Sequence, residues 1–300
     1  MRFSLSGLPA FDYLQPTTVG EALTMLDAQS STRVYLGGTD LFPKMRKQIL
    51  KPTTLIDLKW INDFPETMIN ENGEMVINPQ ATYSHILPYL GQFNGGAALF
   101  DAIVQIGTRS LRNRATLAGN ICNASAAADS VAALIACGAY LTLQSKSGSR
   151  NVNVEKFILG PVETVCQSDE ILTKISIPAQ PANCAGTYLK ISRNKAADLA
   201  ICGVAVVVCH SAKHPSGLAY KIVINGANPR PLQAEDACQF LAKQQPQISF
   251  LQEAARMAAD AVTPLSDLRS SQAYRREMVY ELTLQALKIC LEKLGKEMLV

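Results

Sequence analysis

The sequence predicts an α+β protein of two domains, and three observations carry that reading. Helical and strand patterns alternate through the first half of the 300 residues. Two prolines then fall within four residues, at Pro178-Ala179-Gln180-Pro181, and break the pattern. Beyond them, three apolar runs are followed by three helical ones, the order of a sheet covered by helices. Domains are therefore expected over residues 1–178 and 183–295.

Taken in order, Thr18-Val19-Gly20-Glu21 has the form of a capping box and opens an amphipathic stretch to Leu26. Arg33 to Leu36 reads as a short strand that runs into Gly37-Gly38-Thr39-Asp40 and a helix to about Lys47. Thr54 to Leu58 and Met75 to Ile77 read as strands. Thr82 to Leu90 and Ala97 to Ile106 read as helices. Gly107 to Asp129 reads as one long loop of small and polar residues, a length that is uncommon unless the loop binds something. Ser130 to Cys137 reads as an Ala-rich helix, and Ala139 to Gln144 with Asn151 to Val154 as a hairpin around Ser147-Gly148. After the strand Ile171 to Ile177, the second domain reads as a three-stranded antiparallel sheet: Thr187–Ser192, Leu199–Cys209 and Leu218–Ile224. Helices follow over Gln233–Leu241, Phe250–Asp260 and Tyr274–Lys293.

Composition narrows the function. Hydrophobic residues make up 48% and charged residues 18%, enough to bury a core. A net charge of +3 and an aromatic content of 6% argue against a nucleic-acid groove or an anionic membrane surface. The opening Met1-Arg2-Phe3-Ser4-Leu5 lacks the apolar stretch of a signal peptide. The apolar run Leu199 to Cys209 is shorter than the roughly 20 residues a membrane span needs. A soluble, cytoplasmic protein is expected. Its eight cysteines are scattered without a C-x-x-C pair, so buried free thiols are expected rather than disulfides, zinc or iron–sulfur ligands. His210 and His214 have helical spacing but sit after a strand-like run and before Pro215, which disfavours a metal-binding helix.

Two segments suit a ligand with a polar spine. In Leu36-Gly37-Gly38-Thr39-Asp40, the glycines let the backbone approach a ligand, and successive N–H groups can cradle an anion. A plain tight turn accounts for that pentapeptide equally well. Thr116-Leu117-Ala118-Gly119-Asn120 again combines hydroxyl, glycine and amide. Asp129, nine residues on, suits either a helix N-cap or an acceptor for a ribityl or ribose hydroxyl. Arg109, Arg112 and Arg114 suit either charge balance for a pyrophosphate or a solvated face. Lys190 either faces solvent or, if the domain boundary is a cleft, points at a ligand held there.

These pieces in this order resemble the FAD-binding subunit of the molybdenum hydroxylases, the group that includes bacterial xanthine and carbon monoxide dehydrogenases. The resemblance rests on Leu36–Asp40, Arg112–Asn120 continuing to Asp129, Ile201–Ala205, Gly226–Pro231 and Asp267–Arg276, and covers nearly the whole chain. It implies an FAD domain of the vanillyl-alcohol-oxidase (PCMH) type with two α+β lobes, followed by a small sheet with helices. It also implies that Arg33, Val34, Tyr35, Leu36, Gly37, Gly38, Thr39 and Asp40 wrap the FAD pyrophosphate together with Thr116, Leu117, Ala118, Gly119 and Asn120. Asp129, Ile106, Gly107, Leu172 and Lys190 match further flavin contacts. Ala118 departs from the glycine of many relatives. No cysteine-rich insertion for an extra cluster is present, and nothing in the sequence suggests covalent flavin attachment.

By the same resemblance, the chain would be an electron-transfer subunit of a hetero-oligomer. A molybdenum-cofactor large subunit and a small [2Fe–2S] subunit would be its partners, with NAD or another electron acceptor downstream. No catalytic residue and no metal ligand is expected in this chain. A free-standing FAD oxidoreductase with its own substrate and a flavin-free assembly subunit are the alternatives.

Overall fold

The computed structural model describes residues 7–27, 31–194 and 199–296. The opening pentapeptide read for a signal sequence lies outside the described residues.

The first lobe contains β1 (Asp12–Leu14), α1 (Val19–Asp27), β2 (Thr32–Tyr35), α2 (Leu41–Arg46) and β3 (Thr54–Asp57). Its strands form a parallel sheet in the order β1-β3-β2. The predicted capping box is real but offset. Thr18 Oγ1 accepts from Glu21 N–H at 3.2 Å, while the Glu21 carboxylate takes the N–H and hydroxyl of Thr17.

The second lobe runs through β4 (Met68–Ile69), β5 (Met75–Ile77), α3 (Tyr83–Gln92), α4 (Ala97–Val104), α5 (Arg109–Arg112), α6 (Leu117–Asn123) and α7 (Asp129–Ala136). It continues with β6 (Tyr140–Ser145), β7 (Gly148–Asn153), α8 (Val154–Phe157), β8 (Ile158–Gly160), β9 (Glu163–Thr164) and β10 (Ile171–Ile177). Five of its strands form an antiparallel sheet ordered β4-β5-β10-β6-β7. The expected long loop over 107–129 is corrected: it folds into α5 and α6. Thr108 and Thr116 cap these helices by accepting from Leu111 N–H and Gly119 N–H. Short polar helices of this kind carry too little apolar periodicity to be seen in sequence.

The last part contains β11 (Cys184–Ile191), β12 (Cys202–His210), β13 (Leu218–Asn225), β14 (Leu232–Gln233), α9 (Glu235–Lys243), α10 (Ile248–Ala261) and α11 (Gln272–Lys293). The expected three antiparallel strands gain a two-residue fourth, β14, against β13. Burial explains why β12 reads as an almost unbroken apolar run. Cys202, Val204, Val206 and Val208 join the core beneath α9–α11. Ala205, Val207 and Cys209 alternate with them and join the core of the first domain. One sheet therefore serves two cores, and α4 and α7 pack against it.

That register also corrects the expectation of free thiols throughout. Cys184 and Cys209 stand directly opposite across β11 and β12, with Cα atoms 4.1 Å apart, and form a disulfide. Sequence spacing does not reveal such a pair; an antiparallel register creates it.

Candidate functional site

The first loop leaves β2 over a buried polar foundation. Asp57, 1% exposed, accepts from Tyr35 Oη at 3.1 Å, Tyr13 Oη at 2.5 Å and Lys59 Nζ at 2.5 Å. Burial acts to raise its carboxyl, but the bonds from Lys59 and Tyr13 outweigh this and hold it below the ordinary range. Lys59 also donates to the Leu36 carbonyl at 3.3 Å and lies over the Tyr35 ring. Val34 packs against the core, Leu36 is buried, and Arg33 is exposed. Asp40 stands at the N-cap of α2 without a side-chain capping bond. Thr39 is partly exposed beside it.

The two glycine segments meet. A Cβ on Gly37 would lie 2.4 Å from the Arg114 carbonyl oxygen and 3.1 Å from Ala115 Cα. Arg114 Nε closes the contact by donating to the Gly37 carbonyl at 3.0 Å. Gly38 has φ +71°, and a Cβ there would strike the Phe42 ring at 2.5 Å. Lys44 Nζ donates to Asn123 Oδ1 at 2.7 Å and ties α2 to α6. Thr116, Leu117 and Ala118 are buried, while Gly119 faces solvent and Asn120 is half-buried. Asn120 Oδ1 accepts from the Ser130 hydroxyl at 2.9 Å. Among the described residues, the N–H groups of Gly38, Thr39, Asp40 and Ala118 donate to no other part of the chain. Adjacent unspent N–H groups on two abutting loops suit an anionic pyrophosphate, so the donor set fits FAD.

The arginine cluster serves chiefly as bracing. Arg112 Nη1 donates to the Ile106 and Gly107 carbonyls at 2.9 and 3.0 Å, and Gly107 has φ +50°. Arg109 is exposed.

Asp129 and Lys190 lie together at the packed junction. Lys190 Nζ donates to Asp129 Oδ2 at 2.7 Å and to the Gln105 carbonyl at 2.9 Å, with both side chains 7% exposed. The Lys190 ammonium thus turns to Asp129 and the Gln105 carbonyl rather than to solvent. Asp129 is the first residue of α7, and Ala128 holds the N-cap position. Burial pushes the Asp129 carboxyl up, against the pull of Lys190, Tyr188 and Asn225. The residues that sequence reasoning missed are these partners. Tyr188 Oη donates to Asp129 Oδ1 at 2.6 Å, and Asn225 Nδ2 lies 3.4 Å from the same oxygen. Tyr188 shares a strand face with Lys190, two residues on, which is the one signal that pointed to it. Leu172 sits apart from this junction group in β10, buried and paired with Leu143.

Among the described residues, no group of three His, Cys, Asp or Glu side chains is placed to hold a metal ion. No described helix is long and apolar enough to cross a membrane.

Residues 9–180 match the FAD binding domain in molybdopterin dehydrogenase, and residues 187–289 match the CO dehydrogenase flavoprotein C-terminal domain. The chain is 31% identical to the carbon monoxide dehydrogenase medium chain of Hydrogenophaga pseudoflava, covering 93% of this chain and 96% of that one. It is 29% identical to the glyceraldehyde dehydrogenase medium chain of Sulfolobus acidocaldarius, covering 93% and 98%. The solved carbon monoxide dehydrogenase from H. pseudoflava that lacks the Mo-pyranopterin moiety superposes with a TM-score of 0.87 at 28% identity, over 95% of this chain and 99% of that one. The fold is that of a PCMH-type FAD-binding domain followed by the flavoprotein C-terminal domain. The chain belongs to the FAD-binding subunits of the molybdenum hydroxylase family.

Proposed function

We propose that the chain is the electron-transfer subunit of a molybdenum-dependent hydroxylase or dehydrogenase, with FAD supplying the redox chemistry between a partner's [2Fe–2S] clusters and NAD or another acceptor. The abutting of Gly37 against Arg114–Ala115 supports this reading most directly, because it joins the two small-residue loops into one anion cradle. In this proposal, residues 33–40 and 116–120 wrap the pyrophosphate, and the N–H groups of Gly38, Thr39, Asp40 and Ala118 face it. Asp129, Ile106, Gly107, Leu172 and Lys190 border the rest of the cofactor. Their task is to bind and orient it.

The relatives' names support the partners. Medium chains and FAD-binding subunits are named as parts of carbon monoxide, glyceraldehyde and xanthine dehydrogenases. A molybdenum-cofactor large subunit and a [2Fe–2S] small subunit are proposed to complete the assembly.

Isolation of the native complex tests this. Three subunits with molybdenum, iron, sulfide and one FAD per copy of this chain are the expected composition. Substrate turnover by the purified chain alone, or a complex without molybdenum, refutes the assignment.

A further inference from the structure

Three neighbouring strands bring polar side chains to one buried point. In register, Lys190 of β11 pairs with Gly203 of β12, which pairs with Asn225 of β13. Tyr188 stands two residues from Lys190 on the same face. Gly203 makes the convergence possible. A Cβ there would lie 2.1 Å from Tyr188 Oη and 2.6 Å from Asn225 Oδ1. The missing side chain leaves the room in which the Tyr188 hydroxyl and the Asn225 amide reach Asp129. Tyr188 is 1% exposed and Asn225 is fully buried.

The same cluster grips the turn ahead of α5. Lys190 donates to the Gln105 carbonyl, and Gln105 Nε2 donates back to the Tyr188 carbonyl at 3.2 Å. Arg112 holds the next two carbonyls, those of Ile106 and Gly107. Asp129 and Gln105 are thereby fastened to a single sheet, and α5 holds the two residues that follow.

Such a cluster is a poor way to gain stability. Desolvating a carboxylate and an ammonium offsets most of their attraction, and apolar residues of similar volume would hold the junction as well. What it does supply is direction. Oδ1 is fixed by Tyr188 and Oδ2 by Lys190, so the carboxylate has one orientation.

We propose that Tyr188, assisted by Asn225, is a positioning residue for the flavin site: it sets the Asp129 carboxylate, so that the C-terminal sheet forms the rear wall of the FAD pocket. This rests on the reading of Asp129 as a flavin contact. Tyr188 touches no cofactor and acts through Asp129. FAD retention then depends on a residue outside the FAD-binding domain.

A double-mutant cycle read by FAD affinity tests this, with the flavin-free full-length chain titrated with FAD and followed by flavin fluorescence. Tyr188→Phe keeps the ring and removes the hydroxyl. It is expected to raise the FAD Kd about tenfold, equivalent to about 1.4 kcal/mol. Asp129→Asn is expected to raise it at least as much. The double variant is expected to match Asp129→Asn alone, because residues acting through one another do not add. Thermal unfolding of each flavin-free variant reports the structural cost separately. If Tyr188→Phe does not fold, Asn225→Ser enters the same cycle in its place.

Two results separate the possible failures. An unchanged Kd for Tyr188→Phe beside a raised one for Asp129→Asn overturns the positioning role and leaves the Asp129 assignment standing. Unchanged values for both overturn the Asp129 assignment and the proposal with it. Additive effects in the double variant also overturn the proposal, since Tyr188 would then act independently.

Discussion

A single methyl group separates Gly37 from alanine, and the structure has no room for it. The obstruction at 2.4 Å is a backbone oxygen, which no rotamer change moves aside. Gly37→Ala must therefore push the two loops apart. It is expected to abolish stoichiometric FAD while leaving the far cores folded, as measured by flavin absorbance against far-UV circular dichroism. Full flavin content in that variant would show that the loop contact is dispensable. Gly119, equally prominent in the sequence, is the less restricted of the two. It faces solvent, its φ is not positive, and its nearest obstruction is the Thr116 hydroxyl at 3.0 Å. At this scale the sequence is legible where residue types cluster, as in the two loops. It is opaque where one polar side chain ends an apolar strand. Asn225 closes Lys221-Ile222-Val223-Ile224 and leaves no periodic mark of its partner 96 residues away.

Among the elements, α11 is fastened through Arg275. This side chain is buried, yet its guanidinium donates to the Ile201 carbonyl at 2.5 Å, the Gly226 carbonyl at 2.7 Å and Asp267 at 2.8 Å. Gly226 N–H in turn donates to the Ala126 carbonyl, 2.8 Å away in the stretch between α6 and α7. Arg275→Ala would leave two carbonyls without their donor, and is expected to cost about 3 kcal/mol or more in urea unfolding. Arg275→Lys is not expected to restore it, because an ammonium lacks the planar fork that reaches all three acceptors. A loss under about 1 kcal/mol in the alanine variant would reduce Arg275 to an incidental contact. The sequence motif that contains Arg275 was visible as a resemblance; the inward direction of the guanidinium was not, because an arginine in a charged run reads as solvated. The longer helices and strands were legible, since each has a period of burial. The exceptions are β1, β4, α5, α6, α8, β8, β9 and β14, which are short and take their order from caps and neighbours.

For the molecule as a whole, carboxylates set the acid limit. Lys59 and Tyr13 hold Asp57 low against its burial, Arg150 holds Glu170 low, Tyr140 holds Glu74 low, and Arg269 followed by Arg275 holds Asp267 well below the usual range. A folded value below the unfolded one gives stability that is fully present above the unfolded value, about 4 for these groups, and is lost as the pH falls further. The thermal midpoint is therefore expected to drop as the pH is taken from about 5 to 3, with the steepest fall below about 4. Calorimetry across that range checks it, and a flat or rising midpoint would refute it.

The two prolines and the change in element order suggest a division into two parts. The sharing of β12 between two cores is not legible in sequence, because the alternation looks like a uniform apolar run until both faces are in view. That shared wall limits how such a gene can be shuffled. A crossover at the prolines would graft a sheet shaped for one set of helices onto another, so the two parts are constrained to evolve as a matched pair even though each corresponds to a domain family of its own.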